Sequence, residues 1–376
     1  MIVTGESSGE LYGSLLADSL KKKIPGIRIT GIGGERMKTA GVELIAGISG
    51  SFGLTEALSS IKALKAAFNK ATRALREDRP RVLVLIDYPE FNLRLAAEAK
   101  KENIRVLYYV SPQVWAWRRR RIKKIAGLVD RMAVVLPFEE RLYKDTGLDC
   151  EFVGHPVFDE IKEMGTDRRA IKKELGLKED KPLLSILPGS RRNELERLLP
   201  VTADIIRECQ KEFRDFQFCV PFSPNTDLLK YQGEVDGLRR MGVMINKGES
   251  LKTLAASDYA VIASGTASFQ AVLLGVPVVV IYRLFPLTYW LAKLIVKVKY
   301  ISLVNILAGE EVAKEFLQGD ANPVNIIREI RKLMTDTSYR EKMFGSYKRV
   351  REMFAGKKAS DRVADLVLGM AGWKQD

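Results

Sequence analysis

Histidine is almost absent from this chain of 376 residues: His155 stands alone, which excludes histidine-based triads and multi-histidine metal sites. Acid and base chemistry therefore falls to carboxylates. The three cysteines, Cys150, Cys209 and Cys219, have neither the spacing of a zinc site nor the density of a disulfide scaffold, so a reducing cytoplasm is expected. No apolar run reaches ~20 residues, and the start MIVTGESSGELYG lacks the basic beginning and long apolar stretch of a signal peptide. A soluble or peripheral protein is expected, not a spanning one. Acidic residues are in deficit, 47 against 61 Lys and Arg, and the resulting charge of +14 favours anionic partners without naming one. No internal repeat of about 20 to 50 residues and no low-complexity tract is present, which sets solenoids and disordered arrays aside.

What is present is enough apolar material, 46% of the chain, for two cores. Short β-rich runs at Arg81–Ile86, Arg105–Val110 and Arg131–Val135 alternate with segments of helical period, and the rhythm resumes at Leu183–Leu187, Gln217–Val220, Tyr259–Ala263 and Val278–Ile281. This pattern predicts an α/β chain of two Rossmann-like domains, each a parallel sheet with crossover helices, facing across a cleft. The domains are placed at residues 1–158 and 159–340. A helical tail over 341–376, too short to fold alone, is expected to pack on the first domain or on a partner chain, the latter giving a homodimer.

Ligands of open α/β sheets bind beyond the carboxyl ends of the strands, so the loops there are the candidate sites. Gly5-Glu6-Ser7-Ser8-Gly9-Glu10 leads from a strand remnant into a helix start, where backbone N–H groups suit an anion; an ordinary capped turn fits as well. Asp87-Tyr88-Pro89-Glu90-Phe91-Asn92 puts a carboxylate at the tip of a strand, placed to accept a proton, or else to cap a helix. Ser111-Pro112-Gln113-Val114-Trp115-Ala116-Trp117 precedes four arginines, a combination suited to a sugar phosphate, a lipid headgroup or single-stranded nucleic acid, or else two tryptophans anchoring the loop to its own domain. Pro188-Gly189-Ser190-Arg191 offers a small turn and a guanidinium fork for a diphosphate, without the spacing of a Walker loop. Ser264-Gly265-Thr266-Ala267-Ser268-Phe269-Gln270 is again a strand end feeding a helix. Two apolar stripes, Leu54, Leu58, Ile61, Leu64 and Phe68 in one and Leu284–Val298 in the other, are flanked by lysines and read as core faces or as lipid-facing ones.

Taken in order, these loops resemble the lipid-A-disaccharide synthase family. The segments Tyr109-Val-Ser-Pro-Gln-Val-Trp-Ala-Trp117 and Tyr300-Ile-Ser-Leu-Val-Asn-Ile-Leu-Ala-Gly309 are its most specific marks, and the likeness covers nearly the whole chain. The resemblance implies the two-domain GT-B fold and an inverting transfer from UDP-2,3-diacylglucosamine to 2,3-diacylglucosamine 1-phosphate. The products are a β-1,6 disaccharide 1-phosphate and UDP. It also implies peripheral attachment to the anionic inner membrane of a Gram-negative cell.

On that footing Asp87 is the expected base, with Glu6 or Glu10 as the alternative carboxylate. Arg191, Gly189, Ser190, Ser264, Gly265 and Thr266 are expected to hold UDP, joined through the resemblance by Gln270 and Asn305. Ser8, Gly9, Asn92, Ser111, Gln113 and Trp115 are assigned to the acceptor or sugar side. No metal, cofactor or nucleic acid is expected, and His155 is read as structural. The chain departs from the family in three places: a shortened first strand, Glu10 in place of Asp, and Gln270 in place of Glu. The last keeps a second reading open, a UDP-sugar or lipid-binding homologue with impaired turnover, because an amide offers one acceptor where a carboxylate offers two.

Overall fold

The computed structural model describes residues 1–47, 57–117, 119–164, 167–285, 289 and 299–373. They form two compact units, Met1–Glu160 with Gly356–Asp376, and Ile161–Ala355.

The first unit is built on seven parallel strands, β1 (Ile2–Val3), β2 (Thr30–Gly33), β3 (Glu43–Gly47), β4 (Val82–Ile86), β5 (Arg105–Tyr109), β6 (Arg131–Val134) and β7 (Asp149–Phe152). Their order is β3-β2-β1-β4-β5-β6-β7. Central β4 reads Val-Leu-Val-Leu-Ile and is buried throughout, the unbroken apolar run expected when helices cover both faces of a parallel sheet. The first strand is two residues long, yet pairs with both β2 and β4. The strand order reverses direction between β1 and β4, so the loops after these two strands open a crevice at the carboxyl edge.

The last helix, Ala359–Met370, belongs to this unit and lies on the helix Ser7–Lys23, where Ser19 Oγ donates to Asp361 (2.9 Å) and Lys23 pairs with Asp365 (2.8 Å). The tail thus returns to the first unit. Its crossing point is later than the expected 340, because the helix Thr337–Glu352 buries Met343, Tyr347 and Val350 in the second unit, with the Tyr347 hydroxyl donating to the Val276 carbonyl (3.2 Å).

The second unit repeats the plan with six parallel strands, β8 (Leu183–Leu187), β9 (Gln217–Phe222), β10 (Met244–Lys247), β11 (Tyr259–Ala263), β12 (Val278–Tyr282) and β13 (Glu315–Leu317). The order is β10-β9-β8-β11-β12-β13, so here the reversal lies between β8 and β11. At the amino edge Lys172, only 4% exposed, pairs with half-buried Asp258 (2.9 Å), whose carboxylate also takes the Leu183 N–H and so ties the start of β8 to that of β11. Among the described residues no helix is long and apolar enough to cross a membrane.

Candidate active site

In the first unit the carboxyl-edge loops of β1 and β4 converge. Asp87 and Tyr88, directly after β4, both adopt left-handed backbone (φ 49° and 47°), a conformation that side-chain-bearing residues hold only when their surroundings impose it. The surroundings here are explicit. Fully buried Asn92 donates from Nδ2 to the carbonyls of Ile86 (3.2 Å) and Asp87 (2.7 Å), the Tyr108 hydroxyl donates to the same Asp87 carbonyl (2.6 Å), and the Asp87 N–H donates to Tyr109 (3.2 Å). Asn92 therefore fixes the aspartate's backbone rather than presenting itself to a sugar. A Cβ on residue 5 would lie 2.2 Å from the Tyr88 ring, so only glycine lets the β1 loop close against Tyr88. Half-buried Glu6 sits in the same crevice, and burial together with its charge pushes the Tyr88 phenol above its ordinary value.

Glu10 is turned elsewhere. It is 3% exposed, and its Oε1 accepts the Arg36 N–H (2.8 Å) at the start of the helix Glu35–Thr39. Its carboxylate thus serves the β2 loop, which removes it as a natural alternative to Asp87. Ser8 is half-buried and Gly9 buried in the first turn of the helix Ser7–Lys23.

The loop after β5 begins with Val110 at φ 68°, an outlier for a β-branched residue, held by its N–H to Ala133 (3.0 Å). Ser111 is buried, its hydroxyl bonded to the Tyr143 hydroxyl (2.8 Å), while Gln113 is exposed. Half-buried Trp115 packs edge-on to Phe138 (5.3 Å) and donates its indole N–H to Glu139 Oε1 (3.2 Å). Glu139 is 1% exposed, and its other oxygen accepts the Leu136 N–H (3.2 Å). Burial pushes its carboxyl up to about 8 against the pull of the Leu136 and Trp115 donors, and the charge of Asp87 adds to the rise. Glu139 was missed in the sequence, although it stands in the loop after β6 where the strand-end rule points. Trp117 and Arg118 lie outside the described side chains; Arg121 pairs with Glu90 (2.6 Å). His155 is 5% exposed and accepts the Val157 N–H at Nδ1 (3.3 Å); burial pushes it down to about 3, so it is a neutral packing residue against Tyr12 (5.8 Å).

Of the two apolar stripes, Leu64 and Phe68 pack into the first core, Phe68 edge-on to Phe91 (5.5 Å), with Lys62, Lys65 and Lys70 exposed. The side chains of Leu54, Leu58 and Ile61, and nearly all of 286–298, lie outside the described residues.

In the second unit the loops of β8 and β11 flank the reversal. Gly189 is left-handed (φ 103°), and a Cβ there would stand 2.3 Å from Glu194. The Glu194 carboxylate accepts the N–H groups of Ser190 (3.0 Å) and Arg191 (3.2 Å), so these donors are already engaged, and the Arg191 guanidinium, 64% exposed, lies 3.7 Å from the same carboxylate. Ser264 donates its hydroxyl to Ile301 (2.9 Å). Exposed Gly265 opens the helix Thr266–Leu274, on which Gln270 is half-buried.

Asn305 has a different task from the one the resemblance implies. It is fully buried, and its amide is saturated: Nδ2 donates to Ala313 (2.7 Å) and Glu315 (2.8 Å), while Oδ1 accepts from Val312 (2.8 Å) and Ala313 (2.9 Å). Glu315 in turn gathers the N–H groups of Ile301 and Ser302 and the Ser302 hydroxyl. The pair sets the course of 301–305 and, through Ile301, the orientation of Ser264. Among the described residues no three His, Cys, Asp or Glu side chains come together as a metal site would need.

A family model described as Lipid-A-disaccharide synthetase matches residues 1–365. Relatives named "Lipid-A-disaccharide synthase" from Syntrophus aciditrophicus (strain SB) and Trichlorobacter lovleyi are each 40% identical, covering 98% of this chain and 96% and 97% of theirs. Among solved structures, the UDP complex of S. aureus MnaA aligns with a TM-score of 0.69 at 12% identity, covering 100% of this chain and 97% of that one. The calicheamicin glycosyltransferase CalG4 aligns at 0.60 and 14% identity, covering 98% and 96%. These two likenesses show a shared two-unit α/β fold.

Proposed function

The chain belongs to the lipid-A-disaccharide synthetase family, UDP-dependent glycosyltransferases of lipid A biosynthesis, and from that premise we propose how its own residues carry the reaction. The substrates in this reading are UDP-2,3-diacylglucosamine and 2,3-diacylglucosamine 1-phosphate. Asp87 takes the proton of the acceptor 6-hydroxyl; the oxygen attacks C1 of the donor sugar from the face opposite the diphosphate. The C1–O bond breaks and its electron pair leaves with UDP, inverting C1 and giving the β-1,6 link. The observation that carries this assignment is the clamp of Asn92 and Tyr108 on the left-handed backbone of Asp87 at the strand reversal of the first unit: strain is held at the residue that carries a carboxylate beyond the strand end. Glu6 is the remaining alternative base.

The charge of departing UDP is met in the second unit by Arg191 and by the start of the helix Thr266–Leu274 behind Gly265, without a metal ion. A net charge of +14 suits an anionic lipid acceptor lying in an anionic inner-membrane surface, to which the chain attaches peripherally on the cytoplasmic side. The binding-only reading is not favoured, since the family match extends over residues 1–365.

The test is to supply both substrates in mixed micelles and follow UDP release together with disaccharide. Asp87→Asn is expected to lower kcat by roughly 10²- to 10⁴-fold. Near-normal turnover in that variant refutes the base assignment, and loss of activity to a chelator with recovery on magnesium refutes the metal-free account.

A further inference from the structure

Two side chains four residues apart, Glu139 and Tyr143, grip two others four residues apart, Trp115 and Ser111. Tyr143 is fully buried on the short helix Glu140–Tyr143, and its hydroxyl meets the Ser111 hydroxyl at 2.8 Å. Glu139 stands immediately before that helix with helical backbone, and takes the Trp115 indole N–H at 3.2 Å. The segment after β6 thereby holds both ends of the loop after β5.

The residue type at 139 is demanding. Both of its oxygens face N–H donors, the indole and Leu136, so two acceptors are needed and an amide would turn its own donor toward one of them. Among the described residues no cation pairs with it, and the Asp87 carboxylate is near enough to oppose its ionisation. An ionisable group buried under those conditions stabilises a fold less than an apolar side chain would. Its two hydrogen bonds, to Trp115 and Leu136, point to geometry rather than to stability.

We propose that Glu139 is a positioning residue for the acceptor: through Trp115 it fixes the Ser111–Trp115 loop so that the acceptor sugar is held facing Asp87. The inference rests on the transferase reading and on the acceptor binding in the first unit. Steady-state kinetics in mixed micelles, varying each substrate in turn, test it. Glu139→Gln is expected to raise the KM for the acceptor about tenfold, as losing one well-made buried hydrogen bond does, with the donor KM unchanged. Trp115→Phe, which removes the same bond from its other end, is expected to do likewise, and the double variant to be no worse than either single one.

An unchanged acceptor KM in Glu139→Gln overturns the proposal, whatever happens to the melting temperature. So does a parallel rise in both KM values, or additive effects in the double variant. If the unaltered chain forms no disaccharide at all, the transferase reading itself has failed and the inference falls with it.

Discussion

Replacing Asn305 with alanine separates two accounts of that residue. The resemblance puts its amide on UDP, whereas the structure uses all four of its hydrogen bonds internally, at 2.7 to 2.9 Å. Truncation strands the Val312 and Ala313 N–H groups and the Ala313 carbonyl and takes one donor from Glu315. A stranded buried group costs about 1–3 kcal/mol, and relaxation or an entering water recovers part of the sum, leaving a loss of about 3–5 kcal/mol. For a unit of this size each kcal/mol moves the Tm by about 2–4 °C, so calorimetry should find the melting of the second unit lowered by roughly 10 °C. The donor KM should rise as well, because Ile301 anchors the Ser264 hydroxyl. A Tm within about 2 °C of the unaltered chain, with a weakened donor KM, would refute the internal role and return Asn305 to the nucleotide.

Gly5→Ala drives a methyl group to 2.2 Å from the Tyr88 ring, which must swing and take Asp87 with it; kcat is expected to fall about 10²-fold, the usual effect of a 1 Å displacement, and an unchanged kcat would show the loop to be more pliant than its bonds suggest. Glu139, raised to about 8 in the folded chain, holds its proton more tightly folded than unfolded. Its contribution is therefore fully present below the unfolded carboxyl value of 4.5 and is lost as pH climbs toward 8. Urea titrations at pH 5 and pH 8 should show the unaltered chain losing stability relative to Glu139→Gln by up to about 1.4 kcal/mol per pH unit, and a pH-independent difference would contradict this. Gln270→Glu restores the second acceptor oxygen and is expected to lower the donor KM by about threefold to tenfold, the worth of one modest hydrogen bond; no change would place Gln270 away from the nucleotide.

Much of the fold can be read without coordinates because its central strands are apolar runs. Strands β4, β5, β6, β8, β9, β11 and β12 all fall where Val, Ile, Leu and aromatic residues cluster. Several of the unread ones lack that signal: β2 is Thr-Gly-Ile-Gly, β10 is Met-Ile-Asn-Lys, and β13 has three residues opening on a glutamate; β3, Glu-Leu-Ile-Ala-Gly, carries only a short one. Their pairing is imposed by neighbours, not by composition. The same division runs through the site. Strand-end loops are visible as Gly, Ser and Asp after apolar runs, but where a side chain in them points is decided by distant partners. Glu10 answers to Arg36, Trp115 to Glu139, and the Ser190 N–H to Glu194. A carboxylate one turn into a helix looks like a ligand contact in sequence and proves to be a clasp on backbone, the β2 loop for Glu10 and its own loop for Glu194.

Because the first unit is assembled from both ends of the chain, its order of completion during synthesis is fixed. The second unit is contiguous and is finished while the helix Ser7–Lys23 still lacks its cover, since the helix Ala359–Met370 that lies on it emerges only after that unit. At ribosomal speeds of about 5–20 residues per second that wait is on the order of 20 to 70 s. Through that time a helix carrying Leu16 and Leu20 is left to chaperones, and a premature stop anywhere after Ala355 injures not the unit just made but the one made first.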